Sequence, residues 1–115
     1  MRNSILKDKS YVFAISIVRT VQFLQLSTKE FVLSKQILRS GTAIGALIAE
    51  AQFGESKKDF VHKMHIALKE ANETIYWLNL LMDTDYIEVA KFNQLSVECT
   101  ELIKMLVSSI KTAKQ

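Results

Sequence analysis

Apolar positions along this chain recur at alternating steps of three and four, the period of a helix that buries one face. Four segments carry that period. The first runs from about Ser4 to Leu26, with Leu6, Ser10, Phe13, Ile17, Val21 and Leu24 on one stripe. Ile5, Val12, Ile15 and Val18 widen it, so this helix is apolar over much of its circumference. The polar run Ser27-Thr28-Lys29-Glu30 breaks the pattern. A second helix, from about Phe31 to Phe53, keeps Ile37, Gly41, Ile44, Ile48 and Ala51 in register, with Gly54 as its expected C-cap.

Ser56 and Asp59 have capping-box spacing before a third helix. Its stripe is Phe60, Met64, Ala67, Ala71, Thr74, Leu78 and Leu81, flanked by Leu68, Ile75 and Leu80. The break at Asp83–Tyr86 supplies Asp85 as the expected N-cap of a fourth helix, with Glu88 three residues on. Phe92, Leu95, Cys99, Leu102, Leu106 and Ser109 continue the spacing toward Lys114, flanked by Ile103 and Ile110. Short breaks between long helices make sequence neighbours antiparallel. The expected fold is all-α: one domain over residues 1–115, an up-down-up-down antiparallel four-helix bundle with left-handed packing.

Composition sharpens this. The 115 residues hold no proline, three glycines and one cysteine, too little punctuation for a strand-and-turn fold and no partner for an intrachain disulfide. Asp8 and the Arg19-Thr20 pair around Tyr11–Val18 argue against a secretory leader. A reducing cytoplasm is the expected setting. The longest uncharged runs, Ser10–Val18 and Ser40–Ala49, fall short of the ~18 residues a membrane span needs. At 49% hydrophobic, the chain carries more apolar surface than a small bundle can hide, which implies a second apolar face for a partner. The net charge is +3, but residues 1–69 hold 11 basic and 5 acidic groups, and residues 70–115 hold 4 and 7. The first part can therefore face a polyanion.

Gly41, Gly45 and Ala49 form a small-residue ridge at steps of four, suited to close approach of another helix. The segment Arg39-Ser40-Gly41-Thr42-Ala43-Ile44-Gly45-Ala46, with Ile48-Ala49-Glu50-Ala51, resembles the signature of a bacterial four helix bundle protein family. That family was first noticed as open reading frames in 23S ribosomal RNA intervening sequences. Phe60, Ile66-Ala67-Leu68-Lys69-Glu70-Ala71, Glu73-Thr74 and Tyr76-Trp77-Leu78 match it as well, as do Lys7-Asp8-Lys9-Ser10-Tyr11 and Leu33-Ser34-Lys35-Gln36. One departure is Leu47, where such proteins commonly carry Asn. The resemblance implies a four-helix bundle assembled as a homopentamer, in a family without an established molecular function. A similar bundle, the accessory variability protein of diversity-generating retroelements, is a pentamer that binds nucleic acid and a reverse transcriptase.

The candidate chemistry is sparse. A di-iron bundle needs Glu from two helices and Glu-x-x-His from the other two. Here Glu50 is followed at that spacing by Phe53, and Glu70 by Glu73, so no metal or cofactor is expected. Arg39, Glu50, Glu70 and Glu73 read instead as structural ion pairs; if Arg39 were buried, losing its partner would cost about 3–5 kcal/mol. His62 and His65 make one H-x-x-H pair, too few ligands for a structural metal site.

Lys58, His62, His65, Lys69, Asn72 and Tyr76 form a polar line opposite the apolar stripe, flanked by Lys57 and Lys63. Its lysines suit phosphates and its tyrosine suits a stacked base. An ordinary solvated helix face has the same composition. Trp77, beside the core line, suits a helix or subunit seam. No serine has a plausible base beside it, and the glycine pair lacks the strand and Lys-Ser/Thr of a phosphate loop. Three functions stay open: a self-assembling scaffold that binds RNA or DNA, an adaptor for another protein, and a metal-binding bundle.

Overall fold

A computed structural model describes residues 2–115, with side chains from Ile5 onward. Four helices form: α1 Arg2–Ser27, α2 Leu33–Ala51, α3 Lys57–Asp83 and α4 Val89–Lys114. Five residues join each to the next. Links that short force each helix back along its predecessor. Ion pairs record the reversal: Arg39 of α2 reaches Glu70 and Glu73 of α3, while the later Glu50 reaches the earlier Lys63. Lys9 of α1 meets Glu101, midway along α4, across the fourth seam. The helices pack as a ring of four seams, α1–α2, α2–α3, α3–α4 and α4–α1, with α1–α4 the thinnest. The bundle measures 45 × 21 × 20 Å.

The heptad-like stripes are the core. Leu6, Ser10, Phe13, Ile17, Val21 and Leu24 are all buried in α1. So are Ile37, Gly41, Ile44, Ile48 and Ala51 in α2, and Met64 through Leu81 along the α3 stripe. Phe60 and Phe92 pack at the margin. Leu47 joins that margin, so the departure from Asn adds apolar contact. In α4 the last core position is Ile110 rather than Ser109, one step along the helix. The buried hydroxyl of Thr74 lies 3.0 Å from that of Ser40 and 2.8 Å from the Glu70 carbonyl, so neither a donor nor an acceptor is stranded in the α2–α3 seam.

The small-residue ridge of α2 lies against α1. A Cβ on Gly41 would sit 2.9 Å from Ile17 Cγ1 and 3.0 Å from its Cγ2; one on Gly45 would lie 3.3 Å from the Ser10 carbonyl oxygen. Those Ile17 atoms are fixed by β-branching and cannot swing aside.

The turns depart from expectation in three places. Gly54 does not adopt a left-handed conformation, and α2 closes at Ala51. Gly54 is instead crowded, with a Cβ there meeting Asp59 Oδ2 at 3.0 Å. Asp85 does not cap α4; it ends α3. Its φ of 67° lets its N–H bond Met82 O at 3.0 Å and lets Tyr86 N–H bond Leu81 O at 2.9 Å, a Schellman pair. Asp tolerates the left-handed region better than most residues, which explains its use there. Glu88 then precedes α4 without a side-chain cap, and buried Ile87 and half-buried Phe92 have the spacing of a hydrophobic staple. At α3, Ser56 Oγ does accept the Asp59 N–H, at 3.1 Å.

Glu30 is the third departure. Set within a polar break, it is buried and holds the start of α2. Its carboxylate accepts the N–H groups of Val32, Leu33 and Ser34 at 3.1, 3.0 and 2.7 Å. Burial pushes the carboxyl pKa up, but the hydrogen bonds from Leu33, Ser34 and Val32 outweigh it, and the net shift is downward from 4.5. A carboxylate with a depressed folded pKa stabilises fully above its unfolded value and loses that contribution as pH falls through the folded one.

Glu30→Ala should destabilise the fold at neutral pH by about 1–3 kcal/mol, since three helix N–H groups lose their acceptor. Denaturation at a series of pH values should show that deficit shrinking below about pH 4.5. Gly41→Ala gains roughly 1 kcal/mol of helix propensity but overpacks against Ile17 by about 1–3 kcal/mol, so its melting temperature should fall; Gly45→Ala should be close to neutral.

Candidate nucleic-acid interface

The polar line predicted on α3 stands in solvent. Lys58, His62, His65, Lys69, Asn72 and Tyr76 are all exposed, as is Lys57. Steps of four and three hold them on one face, because the opposite face is pinned by Met64, Ala67, Ala71 and Leu78. Lys63 lies off this line, toward α2. Its ammonium bonds Glu50 at 3.0 Å, and that bond, with Asp59 adding to it, holds its pKa above the ordinary lysine value. Lys63 therefore orients α2 on α3 and is not free as the other lysines are. Asn72 turns its amide back to the Leu68 carbonyl at 3.1 Å. Tyr76 meets Trp77 edge to face, with ring centroids 5.0 Å apart, and keeps most of its ring in solvent.

Trp77 is half-buried beside the α2–α3 seam, where its indole N–H donates to Glu73 at 2.9 Å. The same Glu73 oxygen accepts from Arg39 Nη2, and Arg39 Nη1 reaches Glu70 at 3.3 Å. The four expected ion-pair residues thus form two groups, Arg39 with Glu70 and Glu73, and Glu50 with Lys63. The Arg39 side chain is 55% exposed. The large penalty for a stripped buried charge does not apply to it, and solvent screening keeps the pair weak.

Other chemistry is confined. Cys99 is fully buried, its thiol donating to the Ala71 carbonyl at 3.4 Å, and burial pushes its pKa up to about 12. It stays protonated and unreactive. Among the described residues no three His, Cys, Asp or Glu side chains converge as a metal site. Among them, too, no helix is long and apolar enough to cross a membrane. A concavity of about 790 Å³ lies at the far end of the bundle, between the C-terminal part of α1 and the α3–α4 turn. Arg19, Phe23, Asp85, Tyr86 and Lys91 are among its lining residues, and it shares none with the α3 line.

The outer face of α1 is the other prominent surface. Ile5, Val12, Ile15 and Val18, which widen the apolar stripe, all point away from the core, and Tyr11, Phe23 and Leu26 extend the patch. Val12 is 58% exposed and Leu26 73%. Monomeric soluble proteins seldom leave a contiguous apolar patch of that extent uncovered.

A family model described as 23S rRNA-intervening sequence protein matches residues 2–108. No curated protein matches the chain. Among solved structures, a crystal structure from Bacteroides thetaiotaomicron is similar, that of a protein with unknown function from the S23 ribosomal protein family. It is 52% identical, with 96% of this chain and 99% of that one covered, and the TM-score is 0.95.

The ion-pair geometry makes a graded prediction. Arg39→Ala should cost no more than about 1 kcal/mol in denaturant titration. Glu73→Ala should cost more, about 1–2 kcal/mol, because it also strands the half-buried indole N–H of Trp77.

Proposed function

The chain belongs to the 23S rRNA-intervening sequence protein family, and from that premise we propose a non-catalytic, self-assembling cytoplasmic bundle that binds RNA or DNA through α3. The observation that carries the reading is the separation of two faces. The apolar patch covers the outside of α1, and the basic line covers the outside of α3. Those two helices share no seam and stand on opposite corners of the bundle. Copies joined through α1 would bury the patch and leave every α3 line turned outward. The resemblance that suggests a homopentamer fits such an arrangement, a ring whose basic faces repeat around its rim. Repetition would let weak, salt-sensitive phosphate contacts sum into useful affinity.

The same apolar patch would serve an adaptor that docks an unrelated protein, so the test begins with mass. Light scattering coupled to size exclusion should give several times the 13.1 kDa of one chain. Val12→Glu/Val18→Glu should lower that mass while leaving the helical circular dichroism intact. A monomeric parent protein would overturn self-assembly and favour the adaptor. The assembled protein should bind fluorescent single-stranded RNA or duplex DNA at low salt, and Lys58→Glu/Lys69→Glu should weaken binding. Absence of any binding would remove the nucleic-acid half of the reading.

A further inference from the structure

Three lysines of α4 take part in none of the side-chain contacts that tie the helices together. Lys104, Lys111 and Lys114 are exposed, and among the described residues none of them forms an ion pair. Lys104 and Lys111 are seven residues apart and so share a face. The Cys99 thiol, 3.4 Å from the Ala71 carbonyl, sets the register of the antiparallel α3–α4 pair. Five residues beyond Cys99, Lys104 comes level with Ile66, between His65 and Lys69. Twelve beyond, Lys111 comes level with Asp59, beside Lys58.

The acids near this region are drawn elsewhere. Glu101 turns to α1 and pairs with Lys9 at 3.1 Å, and the Oε1 atom of Glu98 is buried. From Leu102 to Gln115 α4 carries no acid, and neither does α3 from Phe60 to Lys69. Asp59 stands over Gly54, on the side of Lys63 and Glu50. Two antiparallel helix stretches therefore present Lys58 and Lys69 on one rail, Lys104 and Lys111 on the other, with the two histidines on the first and Lys114 at the open end. A cation near a helix C-terminus offsets its dipole, which accounts for Lys111 and Lys114 alone. Lys104 stands mid-helix, where that benefit has faded.

We infer that the α3–α4 surface is a two-rail phosphate-binding site for a double helix, with Lys104 and Lys111 as its second rail. The inference rests on the nucleic-acid reading above and deepens it. Neighbouring helix axes lie about 8–10 Å apart. Outward-splayed lysines on two such helices are separated by a distance comparable to a duplex groove, about 12 Å for the major groove of B-form DNA. A single strand offers one phosphate row and engages one rail. A duplex offers two rows and engages both. Along the bundle, Lys58 to Lys69 spans about 16 Å, several base pairs of phosphate backbone. Recognition by backbone alone is independent of sequence.

The test measures fluorescence anisotropy of short labelled duplex RNA, duplex DNA and single-stranded RNA, from about 50 to 200 mM salt. The parent protein should bind a duplex more tightly than the single strand and with a steeper salt dependence. Lys104→Gln/Lys111→Gln should weaken duplex binding by about tenfold or more and flatten the log–log salt slope by about two, while single-strand binding changes little. The RNA and DNA arms identify which double helix is preferred. If that double variant leaves duplex affinity and slope unchanged while Lys58→Glu/Lys69→Glu abolishes binding, the second rail is wrong and the α3 reading stands. If the parent binds none of the three probes, both readings fall. Both lysines are exposed and unpaired, so these variants should melt with the parent.

Discussion

The exposed face of α1 follows from how closely α2 lies on that helix. At Gly41 there is no room for even one more carbon against Ile17, and at Gly45 the backbone of α2 sits over Ser10. That contact commits one side of α1 to the interior. Ser10, Ile17 and Val21 must face α2, with Leu6, Phe13 and Leu24 beside them. The remaining apolar residues of α1, on the side away from that contact, have no helix left to cover them. An exposed apolar face is thus a geometric by-product of tight pairing in a helix that is apolar almost all round. Two adjacent residues illustrate the split: Phe13 is buried, and Val12 is mostly in solvent.

The interior was legible from spacing alone, because burial in a bundle is governed by a period that sequence displays directly. From Phe13 to Leu106, the stripe positions went where the three-and-four steps put them, apart from Phe60 and Phe92, which stop at the margin. What spacing could not reveal was the chemistry of the turns. Glu30 looked like part of a solvated break, since nothing in Ser27-Thr28-Lys29-Glu30 says that its carboxylate folds onto three backbone N–H groups. Asp85 carries the residue type of an N-cap, but a residue type does not encode the sign of φ. Ser109 and Ile110 differ by one position, an ambiguity that any helix with 3.6 residues per turn leaves near its end.

The candidate surface was half legible for a related reason. A line on one helix can be read from that helix. A surface shared by two helices needs their register, which here is supplied by the contact of Cys99 with Ala71. That register brings Lys104 beside His65 and Lys111 beside Lys58. The ion pairs behave similarly. Four charged residues that share a helix pair proved to be two separate clamps, Arg39 across Glu70 and Glu73, and Lys63 on Glu50. Lys63 is taken up by that clamp, and the free basic surface lies to its other side.

The ring of four seams also has a kinetic meaning. Three seams join helices that are neighbours along the chain, each closed by a five-residue connection. Only α1–α4 ties the two ends together, and it is the thinnest. Such a chain has low contact order and should collapse quickly as three consecutive hairpins, with little loop entropy to overcome at each. Closing α1 onto α4 spans the longest stretch of chain, so of the four seams it carries the largest loop entropy. The helix that carries the exposed apolar face is therefore also a partner in that seam, and a nascent chain that has not yet closed would offer a second chain both its outer patch and an unfinished seam. The two events use different faces of α1, so closing the seam leaves the outer patch open to a second chain.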